Sequence, residues 1–129
     1  MSYIGGFAVR YGVFIAAIFG ATAVLLGAFA AHGLKNTLSV EHLAVLQTGV
    51  QYQFIHALAL LLVALLAQQQ ASRALVYSAV FFTLGILLFS GSLYLLVLTP
   101  LTPGVVTPIG GVLLVLGWLS LAYSALRKV

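Results

Sequence analysis

Apolar residues in this chain come in long runs parted by short polar stretches. The first run extends from Tyr11 to Ala31 without a charge. The second is centred on Phe54 to Ala67, with a more polar turn ahead of it. The third runs from Ala74 to Leu98 and ends at Thr99-Pro100. The fourth follows Thr107-Pro108, where a proline suits a first helical turn, and reaches Leu126. About 20 apolar residues cross the roughly 30 Å hydrocarbon layer as helix. The pattern therefore predicts an all-α membrane protein, a four-transmembrane-helix bundle with spans near 11–31, 51–67, 74–98 and 106–126. The linkers are short, so residues 1–129 read as one domain. Ala28-Phe29-Ala30 has the form of a signal-peptide processing site. The run around it exceeds the roughly 7–15 apolar residues of a signal peptide, so a retained first span is expected.

Composition removes the soluble alternative. The chain is 64% hydrophobic and 5% charged, whereas a soluble domain needs about a quarter charged residues to make a surface water accepts. The net charge of +4 does not point to nucleic acid. Its basic residues are few, stand at the edges of apolar runs, and form no stripe with interleaved aromatics. Arg10, Arg73, Arg127 and Lys128 fall on one side of the membrane; Lys35, offset by Glu41, and the uncharged 99–106 loop fall on the other. The positive-inside rule then places both termini in the cytoplasm. Cysteine is absent and Glu41 is the sole carboxylate side chain. Disulfides, thiol catalysis, paired carboxylates and a Ser-His-Asp triad are thereby excluded, and no catalytic residue is assigned.

Lipid tails are as apolar as leucine, so helices associate in a membrane where small residues let them approach. Gly20, Ala23, Gly27 and Ala30 or Ala31 share a face of the first span. Ser78, Gly85 and Ser92 recur at sevens in the third, as do Gly110 (beside Gly111), Gly117 and Ser124 in the fourth. That spacing suits left-handed packing. These seams pack the bundle, or offer a face to another copy or another membrane protein.

Lys35 to Val50 is too polar to span and too patterned for a loose loop. Ser39 suits an N-cap with Glu41 in the first turn, and Val40, Leu43, Leu46 (or Ala44) and Val50 form a stripe. A short amphipathic interfacial segment is expected there. A single helix from Val40 to Ala67 would be about 42 Å long, more than the hydrocarbon core, and Gly49 is the cheapest place for it to bend.

Polar groups inside a span are informative when they cluster. Gln47, Thr48, Gln51, Tyr52, Gln53 and His56 lie on the second, with Tyr52, Gln53 and His56 able to share a face. Topology adds His32, Ser90, Ser92, Tyr94 and Thr107 at the same outer half. The inner half, Leu58 to Leu66 and Val112 to Leu119, reads as featureless packing. His32 suits a helix C-terminus, and His56 needs a partner such as Gln53, Tyr94 or a serine. Two readings stay open for His32, Tyr52, Gln53, His56, Ser90, Ser92 and Tyr94: a structural hydrogen-bond network, or a site for a quinone headgroup, a haem or a proton relay. No cofactor is singled out. A metal is not expected, since two histidines with neither thiolate nor a second carboxylate make a poor ligand set.

Leu26-Gly27-Ala28-Phe29-Ala30-Ala31-His32-Gly33-Leu34, Thr48-Gly49-Val50-Gln51-Tyr52-Gln53 and His56-Ala57-Leu58-Ala59 resemble the YgdD-like family of small membrane proteins. Phe89-Ser90-Gly91-Ser92-Leu93-Tyr94 and Thr107-Pro108-Ile109-Gly110-Gly111 match its later blocks, with Ala30 standing where that family is expected to carry glycine. The resemblance implies a multi-pass, four-span protein of bacterial inner membranes with relatives in animal mitochondria, and no known activity. The reading is a non-enzymatic bundle, either an accessory subunit or a small-ligand or lipid binder. The alternative is quinone, haem or proton handling at the outer cluster. A transporter is a distant third, for want of an internal repeat.

Overall fold

A computed structural model describes residues 3–127. Helix α1 spans Tyr3–His32, α2 Val40–Gln69, α3 Arg73–Leu98 and α4 Val106–Leu126. All four are long and apolar enough to cross a membrane, and they form an all-α bundle. Hydrogen bonding explains why helix is the form taken: lipid offers backbone groups no partner, and a helix satisfies them internally.

The ends are set locally. The chain leaves α1 through Gly33 and Leu34, whose N–H groups both return to the Phe29 carbonyl at 2.7 and 3.0 Å. Ser39 caps α2, its hydroxyl accepting from the His42 N–H at 3.1 Å. Ser72 caps α3 the same way through Leu75 at 3.4 Å. Helix α1 begins earlier than expected, at Tyr3, so Arg10 lies inside the helix and not ahead of it. No proline interrupts residues 3–10, and an exposed arginine reaches the headgroups from within a helix by extending its stem.

Cross-helix pairs establish an up-down-up-down order. Gly12 meets Ala64 while Gln53 meets Phe19, so α1 and α2 are antiparallel. Ser78 reaches Gly117 while Ser92 reaches Thr107, so α3 and α4 are too. Helices α2 and α3 form the centre; α1 packs chiefly on α2 and α4 chiefly on α3. One core gathers Ala16, Leu60, Val63, Leu75, Phe82 and Leu114. A smaller one at the other end joins Ala30, Leu46 and Val97. The polar segment ahead of the second span is thus the opening of α2 itself, with Leu46 fully buried against α1 and α3.

Helix α3 approaches α4 at its small residues. A Cβ on Gly110 would fall on the backbone of Leu88 and Phe89, and one on Gly117 would lie 2.6 Å from the Phe82 ring. On Gly85 it would meet the Leu114 side chain at 2.5 Å, whereas Gly111 has ordinary clearance from Phe89. On α1, Ala16, Ala23 and Ala30 are buried, and a Cβ on Gly27 would touch Val50 at 3.4 Å. Gly20 differs from expectation: a Cβ there would meet nothing within 4 Å. It lies on an open groove beside the seam.

Candidate functional site

The polar residues of the spans form several separate ties. Gln53, 4% exposed on α2, makes the widest one. Its amide nitrogen donates to the Phe19 carbonyl at 2.8 Å and to the Thr22 hydroxyl at 2.7 Å. Its amide oxygen accepts from the Tyr94 hydroxyl at 2.6 Å. One side chain thus joins α1, α2 and α3. A planar amide with donors at one corner and an acceptor at the other suits that junction.

His56, also buried on α2, holds α4. The Trp118 indole N–H donates to its Nε2 at 3.0 Å, and its Nδ1 lies 2.8 Å from the Tyr52 carbonyl. Indole is a donor only. Nε2 must therefore accept, and the ring proton sits on Nδ1 and goes to the carbonyl. This is a neutral imidazole with both nitrogens engaged. The Phe82 ring, fully buried, packs beside both partners, with centroids 5.7 Å from His56 and 5.1 Å from Trp118. Gly117 leaves the space that ring occupies.

Serines supply the rest. Ser90 donates to the Gly49 carbonyl at 2.7 Å, tying α3 to α2. Ser92 donates to the Phe89 carbonyl at 2.8 Å and lies 2.5 Å from the Thr107 hydroxyl on α4. Ser78 donates to the Gly117 carbonyl at 2.8 Å. Among the described residues, no buried side-chain nitrogen or oxygen lacks a partner.

Several sequence expectations change here. His56 pairs with Trp118 and a backbone carbonyl, not with Gln53, Tyr94 or a serine. The inner half is not featureless, because Trp118, Ser78 and Gly117 make polar ties in it. His32 stands apart, exposed at the end of α1. His56 lies 16 residues beyond Val40, about 24 Å along α2 at 1.5 Å per residue, so the two imidazoles share no site. Tyr52 is partly exposed and stacks on Phe89, with centroids 4.6 Å apart. Thr22 and Trp118 are the tie-forming residues the sequence reading missed. Trp118 carried a signal: it is the one tryptophan of the chain, it falls within a span, and its N–H requires an acceptor.

The comparisons with known proteins fit this fold. The family model described as "Protein of unknown function (DUF423)" matches residues 26–111. The UPF0382 inner membrane protein YgdD of Escherichia coli (strain K12) is 43% identical over 119 residues, 92% of this chain and 91% of that protein. The chain belongs to the UPF0382 family. A UPF0382 membrane protein of Haemophilus influenzae is 45% identical over 115 residues, covering 88% of this chain and 92% of its own. The UPF0382 membrane protein YwdK of Bacillus subtilis is 41% identical over 117 residues, covering 89% and 95%. No solved structure matches. Like these UPF0382 relatives, the chain is an integral membrane protein. The family-matched stretch contains Gln53, His56, Ser90, Ser92, Tyr94 and Thr107, while their partners Thr22 and Trp118 lie outside it.

Proposed function

We propose that this UPF0382 protein is non-enzymatic and works by binding, either lipid or a partner membrane protein, through its outward helix faces. In this reading the Gln53, His56, Ser90, Ser92 and Tyr94 ties hold the bundle together. One observation carries it: among the described residues every buried side-chain nitrogen and oxygen already has a partner within the bundle, both nitrogens of His56 included. A quinone, a haem or a relayed proton would have to displace Trp118 from Nε2, because protonating that nitrogen sets two N–H groups against each other. The membrane location in the relatives' names supports an inner-membrane setting. Arg10, Arg73 and Arg127 share one end of the bundle, which supports cytoplasmic termini.

The test is a double-mutant cycle on H56A and W118F in purified protein, with a visible absorption spectrum and a lipid extract of the wild type. The expected coupling between the two positions is about 0.6 kcal/mol, the average that double-mutant cycles give for interhelical hydrogen bonds in membranes. A stoichiometric chromophore or quinone that H56A removes would overturn the reading.

A further inference from the structure

At the end of the bundle that carries the arginines, α3 and α4 leave a pocket of about 420 Å³. Arg73 opens α3 and Arg127 follows the last residue of α4, and both line it. Tyr77 and Tyr123 lie one turn in from the arginines, and Leu116, Leu119 and Ser120 continue the lining away from them. From Arg127 back to Leu116 is about 16 Å of helix, so the pocket runs from headgroup level into the hydrocarbon. Its chemistry is graded in the same direction: two guanidiniums at the mouth, tyrosines at interface depth, leucines below.

Charge decides what such a pocket takes. Glu41, the only carboxylate side chain in the chain, lies in the first turn of α2 at the opposite end. Neither guanidinium meets a carboxylate among the described residues. Two guanidiniums lining one pocket repel, and a phosphodiester between them removes that repulsion while accepting their planar N–H forks. We infer that Arg73 and Arg127 form the headgroup site of an anionic phospholipid whose acyl chain lies along Leu116 and Leu119. Tyr77 and Tyr123, one turn from Arg73 and Arg127, bring hydroxyl donors to the same headgroup. The site deepens the lipid-binding reading above and rests on it in one respect, that the chain acts by binding. The two fail separately, because this site shares no residue with the His56–Trp118 tie.

The test uses the full chain in mild detergent, read by native mass spectrometry and thermal melting. Dioleoyl phosphatidylglycerol, dioleoyl phosphatidylcholine or inorganic phosphate is added. Phosphatidylglycerol is expected to stay bound and raise Tm, while phosphatidylcholine at the same concentration does neither. R73Q/R127Q is expected to weaken phosphatidylglycerol binding on the order of tenfold, because two guanidiniums leave an anionic contact. R10Q removes a charge at the same end but outside the pocket, and should leave that binding within about twofold. Equal retention of the two lipids overturns the site, as does an R10Q effect equal to that of the double variant. Inorganic phosphate alone reproducing the Tm shift also overturns it, since the lipid would then be unnecessary. Should R73Q/R127Q lose its helical circular dichroism, the wild-type comparison of the two lipids decides.

Discussion

At the α3/α4 interface a glycine meets the backbone of the facing helix, whereas α1 meets side chains of α2, at its alanines and at Gly12 and Gly27, and leaves a groove beside the seam. Gly110 abuts the main chain of Leu88 and Phe89, and Gly117 both receives the Phe82 ring and accepts from Ser78. Across from this, Ala16, Ala23 and Ala30 form the seam on α1, and Gln53 closes it. Gly20 faces a groove of about 360 Å³ lined by Val13, Ala17, Phe54 and Leu58, among others. Both helix pairs carry glycines in contact, Gly12 of α1 against Ala64 and Gly27 against Val50, yet Gly20 between them meets nothing. In lipid the attraction between helices comes from contact and hydrogen bonds, so a glycine contributes only where something fills its missing side chain.

The largest expected effect breaks the backbone contact. Gly110→Ala places a methyl group where α3 backbone must move, and overpacking of that kind costs about 3 kcal/mol. Unfolding in mixed micelles should show that loss, and a variant as stable as wild type would mean the helices are not in this register. Next comes Gln53→Leu, which unties α1 from α2 and α3 together and removes the acceptor of the Tyr94 hydroxyl. A loss of about 1–2 kcal/mol is expected in the same assay. Trp118→Phe removes one bond to His56 and keeps an aromatic ring beside Phe82. Its expected cost is about 0.6 kcal/mol, the average for interhelical hydrogen bonds in membranes. Gly20→Ala is the smallest. With open space at that position, its stability should stay within about 0.5 kcal/mol of wild type or rise slightly, since alanine is the better helix former. A large loss there would place a neighbour in the groove and erase the contrast between the interfaces.

Legibility in the sequence followed the physics of each feature. Ser39 was readable as a cap because capping needs only the residues of one turn. The spacing of Ser78, Gly85 and Ser92 against Gly110 and Gly117 marked surfaces fit for close approach, and these are the residues at the α3/α4 contact. Gly20 has the same residue type and a similar spacing but no neighbour, and nothing local tells the two cases apart. Gln53, His56 and Tyr94 stood out as polar groups in apolar spans, but their partners did not follow. His56 meets a residue 62 positions away on a helix that is not its principal neighbour.

The sequence by itself determined that four helices form and that they lie in a membrane. Both follow from run length, charge poverty and the demand that backbone groups pair internally. Only the tertiary structure decided which face of each helix turns inward. In water an apolar stripe marks that face; these helices are apolar on nearly every side, so the stripe is missing and contact geometry chooses. That choice gives His56 to Trp118, gives Gln53 to three helices, and leaves Gly20 on the groove.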